Sequence, residues 1–302
     1  MLSVPSRRLL LSGGRTAFSP LSLAPVLWLK SDAGLTLSTS GYAGTGTVTQ
    51  VGTAITGSGT AFLSEVVVGD VLSGTLISGT VTVITNNTNL TVDASNTGAG
   101  AAYTITPTAG TSDRVTTWTD QSGNGKDAVQ SSVASNPPKI PNTQNGLAAV
   151  RGNGVNSKLD LPSISLGTTH TVFYVLKALT GATGVVTGFS TSGYLTYTDG
   201  SNWYYSNGGS VNVALAFGTT TKILAVRRNG TTVQFFLNGT QTGVDKTLGS
   251  NNATTATTLF CYSNGTQGLK TNIMEHVIIN TSISDANLAN MFSYLNTRWA
   301  VY

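Results

Sequence analysis

The sequence predicts an all-β protein: a sandwich of antiparallel sheets that carries a second, small β-barrel-like unit as an insertion and closes with one helix. Runs of about four to eight residues rich in Val, Ile, Thr, Tyr and Phe, bounded by Gly, Asn or Asp, recur along all 302 residues, as short strands with frequent turns do. Charged residues make up only 9% of the chain, and 35 glycines with abundant Ser, Thr and Asn stand in their place. That profile suits sheets whose outer faces are covered by hydroxyl and amide groups. Helical spacing of apolar residues is convincing only near the C-terminus.

Residues 1–25 are acid-free and punctuated by prolines, with Arg7, Arg8 and Arg15 as their charges. This segment is read as an N-terminal arm held by a neighbouring subunit, the three arginines making the assembly contacts. Val26-Leu27-Trp28-Leu29 opens the first strand, and Val115-Thr116-Thr117-Trp118 forms a later block. These two blocks read as neighbours in one sheet. Between them, residues 44–107 lack Trp and basic residues and break into brief strands, Val66-Val67-Val68 among them. The predicted organisation is therefore a discontinuous sandwich, 26–43 and 108–302, with 44–107 inserted as a small β domain.

Val172-Phe173-Tyr174-Val175-Leu176 is apolar on both faces and reads as a central buried strand. Lys222–Arg228 and Thr231–Leu237, joined by Asn229-Gly230, form the strongest hairpin signal, with a type I′ turn expected. Asn238-Gly239 turns the chain again. Ser284 is the expected N-cap of the closing helix, whose stripe is Leu288, Met291, Phe292, Leu295 and Trp299.

Net charge is +4, and it is unevenly placed. Arg7, Arg8, Arg15 and Lys30 make the N-terminal segment basic, whereas Glu65, Asp70 and Asp93 make residues 33–110 acidic. Basic residues beyond 113 are dispersed, so nucleic acid is not an expected partner. No apolar run approaches the roughly 20 residues that span a bilayer, and membrane insertion is not expected. A lone cysteine, Cys261, offers no intrachain disulfide and reads as a buried small hydrophobe.

Three blocks carry a family resemblance. Val26–Asp32, Trp118–Gly125 and Leu147–Gly154 resemble successive parts of the concanavalin A-like (laminin-G-like) jelly-roll superfamily, and Phe236-Leu237-Asn238-Gly239 resembles its late strand pair. Ile283-Ser284-Asp285-Ala286 with its helix is similar to the ending common in bacterial and phage members. The insert, through Gly57–Phe62, Val68-Gly69-Asp70 and Leu90-Thr91-Val92, resembles small β repeats of phage virion proteins, and Phe18–Leu23 is similar to virion-protein openings. The resemblance implies a virion-located structural protein, a capsid decoration or tail appendage. Its expected partners are other virion proteins and further copies of itself in a homo-oligomer (a trimer is one option), together with a host surface glycan. A carbohydrate-binding adhesin, or an accessory binding module of a secreted bacterial protein, is the alternative.

Glucanases belong to the same superfamily, but retaining glycosidases need two carboxylates about 5–5.5 Å apart. The only glutamates, Glu65 and Glu275, fall in different predicted units, and no Asp/Glu pair stands at i, i+2. A non-enzymatic protein is therefore expected. Aromatic residues concentrate between Tyr194 and Tyr205, and Tyr197, Asn202, Trp203, Tyr204 and Tyr205 are the candidate sugar contacts, with Trp203 and Tyr205 on one face and Tyr204 on the other. The only candidate metal loop is Asp120-x-Ser122-x-Asn124-Gly125, which has calcium-type oxygen spacing but Ser131 at the position of the bidentate Glu. A self-bonded turn is the competing reading of that loop; calcium aside, no cofactor is expected.

Overall fold

The computed structural model describes residues 18–179, 181–190, 193–207 and 209–302. Two nine-stranded antiparallel sheets face each other, and a six-stranded sheet stands apart from them. The centre of the first sheet is Thr169–Ala178, paired on one side with Lys270–Ile279 and on the other with Thr221–Asn229. Its apolar run is explained by its two neighbours. Val172, Tyr174 and Leu176 point into the core between the sheets, while Phe173 and Val175 point to the opposite face. The second sheet runs from Ser210–Ala214 at one edge to Leu35–Ser38 at the other.

The outer face of the first sheet is covered by the helix Asp285–Trp299. Ser284 caps it, its hydroxyl accepting from the Asn287 amide at 3.3 Å, and Ala300 ends it in the left-handed region. All five residues of the predicted stripe are buried, a face worth roughly 1.5–3 kcal/mol for each large side chain covered. Residues 18–25 of the arm join this layer: Phe18 meets Tyr294 edge-on at 6.4 Å, and Leu23 packs on the same cluster. Residues 18–25 thus rest on the chain's own helix, whereas Arg7, Arg8 and Arg15 lie outside the described residues.

Glu275 ties helix to sheet. Its Oε1 accepts from Trp28 Nε1 and its Oε2 from Trp299 Nε1, each at 2.7 Å, with Arg298 Nε 3.3 Å away. Arg298 reaches past it to Asp32. Burial raises the Glu275 pKa, while the two indoles, Arg298 and Lys30 pull it down.

Two expectations are corrected by the pairing. The blocks around Trp28 and Trp118 lie in facing sheets, joined by Trp118 Nε1 donating to the Lys30 carbonyl at 2.8 Å. Arg114–Trp118 lies between Ala128–Val129 and Leu35–Ser38, so the strands flanking the insertion do pair. The strong hairpin exists, but Asn229 pairs with Thr232, which leaves Gly230-Thr231 as the loop; only Gly230 has positive φ. That is the type II′ pattern, with glycine first. Asn238 and Gly239 both take positive φ, as a type I′ turn requires.

Residues 42–106 build the third sheet around their own core of Val48, Ile55, Phe62, Leu72, Val81, Leu90 and Ile105. Its strand order ends in Tyr42–Ala43 and Thr47–Ser58, which do not pair with each other, so the barrel-like closure expected from sequence is replaced by an open sheet. Val66-Val67-Val68 is not a strand; it follows the short helix Phe62–Glu65, whose turn consumes the preceding residues. The insert's first strand pairs with its last, Tyr42 opposite Ile105, so the chain enters and leaves side by side. Arg114 of the sandwich bridges the junction, donating to Asp70 Oδ2 at 2.7 Å and to the Tyr42 hydroxyl at 3.0 Å.

Replacing residues 44–107 by a short Gly/Ser linker is expected to leave a sandwich that unfolds cooperatively in urea. Adjacent ends make the linker easy to close, and removing the insert bares Arg114 to water, so no charge is stranded. Loss of the cooperative transition would contradict independent folding.

Candidate ligand-binding site

The aromatic segment lies in two adjacent strands of the second sheet, Tyr194–Thr198 and Asn202–Ser206, with Thr198 opposite Trp203 and Thr196 opposite Tyr205. Strand alternation sends Trp203 and Tyr205 inward. Both are fully buried, which removes them from the predicted sugar contacts. Trp203 packs edge-on against Phe217 and Phe235. The Tyr205 hydroxyl pairs with His170 Nε2 at 2.9 Å and accepts from Arg228 Nη1 at 3.3 Å; burial pushes its pKa up to about 12. These side chains hold the core, because the inner face of a sandwich has no access to solvent.

Tyr197, Asn202 and Tyr204 stay on the outer face, where all three are half-buried. Tyr194 joins them. Its ring lies 5.1 Å from Tyr197 and 6.5 Å from Tyr204, and Tyr197 and Tyr204 are 5.7 Å apart. Simple alternation would have put Tyr194 on the opposite face from Tyr197. Irregular register between Gly184–Gly188 and this strand supplies the bulge that brings them together. Tyr262, from the loop after Thr254–Leu259, is a fourth phenol beside them, its pKa raised by burial and by Tyr194 and Tyr197. Neither Tyr194 nor Tyr262 was among the predicted contacts; the bulge and the loop's return leave no mark in periodicity.

Polar groups sit at the edge of this patch. Asp199 is exposed and accepts from the Tyr204 hydroxyl at 2.7 Å, from Asn202 Nδ2 at 3.0 Å and from the Ser201 and Asn202 amides. The Asn202 and Tyr204 side chains, then those amides, hold its carboxyl well below the usual carboxylate range. Asp199 therefore stays ionised and orients both side chains. Tyr204 stands opposite Asn212 of the edge strand, whose side chain is exposed. The result is a shelf of tyrosine rings with amide and carboxylate groups along one side, a surface that can stack on C–H faces while fixing hydroxyls.

In the loop considered for calcium, the Asp120 carboxylate is already engaged. Its Oδ1 accepts from the Trp28 and Ser122 amides at 2.9 Å, and its Oδ2 accepts from the Ser122 hydroxyl at 2.6 Å and the Lys126 amide at 3.1 Å. Asn124 turns its Nδ2 toward the Pro25 carbonyl and Ser122 Oγ, both at 2.9 Å. This is the geometry of the self-bonded turn, and it fastens the first strand to the loop. Among the described residues no group of three or more His, Cys, Asp or Glu side chains is placed to hold a metal ion. Cys261 is buried, and that burial pushes its thiol up to about 12.

No protein-family model matches the chain, and no curated protein matches it. Among solved structures, it is similar to the ligand-binding domain of botulinum neurotoxin serotype D in complex with N-acetylneuraminic acid, at 9% identity and a TM-score of 0.44, covering 59% of this chain and 48% of that one. Trypanosoma rangeli sialidase aligns at 11% identity and a TM-score of 0.40, over 61% of this chain and 31% of the sialidase. The binding domain of Paraclostridial Mosquitocidal Protein 1 aligns at 13% identity and a TM-score of 0.41, over 59% and 50%. The chain spans half or less of each of these structures. Likeness at this level assigns neither ligand nor activity.

Proposed function

We propose that this chain is a non-catalytic, glycan-binding protein that works as a structural component displayed on a phage particle. The observation that carries the binding reading is the outward shelf of Tyr194, Tyr197 and Tyr204, edged by Asp199 and Asn202. Stacked rings give a sugar an apolar platform, and Asp199 supplies an ionised acceptor at its margin. The two glutamates support a role without turnover. Glu275 is enclosed between two indoles, and Glu65 is bound to the Thr45 amide and hydroxyl. The virion role, the concanavalin A-like assignment and the homo-oligomer rest on the resemblance of the sandwich blocks, insert and arm. The low charge content supports them, since it favours packing into an assembly.

Substituting Tyr197 and Tyr204 together by alanine is expected to weaken binding to a responsive glycan. By analogy with stacking on bases, each ring is worth about 1–3 kcal/mol, roughly five- to a hundredfold in affinity. A glycan array followed by calorimetry on the best ligand reads this. Unchanged affinity in the double variant would move the site elsewhere, and release of reducing ends from any polysaccharide would overturn the non-catalytic reading. Labelling the protein on intact particles tests its location.

A further inference from the structure

An enclosed cleft lies away from the tyrosine shelf, where the insert meets the opposite outer face of the sandwich. Its volume is about 370 Å³, in the range of small-molecule sites. The floor comes from two paired strands of the first sheet, Leu147–Asn153 and Lys270–Ile279. Their register sets Arg151 opposite Asn272 and Asn153 opposite Lys270. Directly opposed residues share a face, and Ala149, two residues before Arg151, packs on the helix side, so all four look outward. Lys177 stands opposite Asn272 on the next strand and adds a third cation to this face.

The cations are not spent on acids. None of the five ion pairs among the described residues involves Arg151, Lys177 or Lys270. Arg151 Nε donates to Asn272 Oδ1 at 2.8 Å. That bond fixes the plane of the guanidinium and leaves both Nη groups without a partner among the described residues. The other charged groups of the cleft are occupied. Arg114 is bound to Asp70, Tyr42 and two carbonyls, and Glu65 to Thr45. Asn153 is also committed, since its Nδ2 donates to the Ser64 carbonyl at 2.5 Å and its Oδ1 accepts three loop amides. These two anchors, Arg114 and Asn153, clamp the insert over the floor. The remaining walls are mixed: Val66, Val67 and Ile84 from the insert and Ile140 and Leu179 from the sandwich supply apolar surface, and Thr111 and Asn136 add polar groups.

We infer that this cleft is a binding site for a small organic carboxylate on a ring-sized body, with Arg151 holding the carboxylate through its two Nη groups and Lys270 adding charge from the side. A planar guanidinium with a free fork matches a carboxylate bidentately, and the apolar surface of the walls favours a ring over a bare inorganic ion. The site is independent of the tyrosine shelf, which lies on the other sheet.

Calorimetric titration of the full chain with glucuronate, benzoate and glucose tests this. At least one carboxylate binds saturably, and glucose, which has no charge, does not reach its affinity. Glucuronate alone binding makes the ligand an acidic sugar, and benzoate alone an aromatic acid. Arg151→Gln and Lys270→Gln each weaken binding at least tenfold, Arg151→Lys recovers part of the loss, and the Tyr197/Tyr204 double alanine variant binds as the parent does. If Arg151→Gln fails to fold, Lys270→Gln decides, because that side chain makes no hydrogen bond or ion pair among the described residues. No saturable binding of either carboxylate, equal binding by Lys270→Gln and the parent, or glucose matching the better carboxylate overturns the inference.

Discussion

Replacing Glu275 by alanine is expected to lower the free energy of unfolding by about 3–5 kcal/mol, the cost of breaking a buried charged cluster from one side. The carboxylate is wholly enclosed and accepts from two indoles that come from opposite ends of the chain, Trp28 on the first strand and Trp299 on the last helical turn. Its loss strands two N–H donors and leaves Arg298 with Asp32 alone. Each stranded donor costs about 1–3 kcal/mol. Urea unfolding measures the change, and Trp299→Phe, which removes one donor and keeps an aromatic ring, is expected to lose less. A loss under about 1 kcal/mol in the alanine variant would mean that the helix is held by its apolar stripe alone.

Acidification is the second large lever. His276, stacked on Tyr174 at 4.5 Å with its Nδ1–H donating to the Phe173 carbonyl, has its pKa pushed down to about 4 by burial. His170 is also brought down to about 4, by burial first and then by Arg228, against the Gly167 carbonyl. An unfolded histidine titrates near 6.5. Because the folded values are depressed, the stability is fully present above about pH 6.5 and is lost as pH falls toward 4. At pH 5 each histidine has given up about 2 kcal/mol. Glu275 works in the opposite sense: its raised folded pKa means that the native state gains relative stability as it protonates. Unfolding free energies measured from pH 7 to 5 should therefore fall, and His276→Gln should flatten that slope by about half of the histidine contribution. A variant with the parent's slope would assign the acid sensitivity to other groups.

The parts of the fold that were readable in the sequence are those where one local signal decides the outcome. Ser284 and the 3.6-residue stripe after it define the helix, and the unbroken apolar run from Val172 to Leu176 marks a strand covered on both faces. Pairing partners were less legible. The Trp28 and Trp118 blocks have similar texture, and nothing local tells facing sheets from adjacent strands. The hairpin turn moved by one residue because Gly230 supplies positive φ in either register, and the ladder from Thr169 to Asn229 selects one. At the candidate site, alternation correctly separated Trp203 and Tyr205 from Tyr204, but it could not say which face was the core. The partners of Trp203, Phe217 and Phe235, lie on other elements. The carboxylate cleft had no sequence signature at all, because Arg151 and Lys270 meet only through strand pairing over more than a hundred residues.

The placement of the tryptophans has a spectroscopic consequence. All four are enclosed, with Trp28 the most exposed at 6%, whereas the shelf is built from tyrosines. Indole emission will therefore be blue-shifted in the native protein and will move to the red only when the sandwich or its helix opens. Ligand arriving at the shelf will register in the phenol signal, through tyrosine absorbance or the efficiency of transfer from Tyr197 and Tyr204 to Trp203 behind them. One cuvette thus separates two events: occupancy through the phenol contribution, and loss of the fold at the red edge where only indole absorbs.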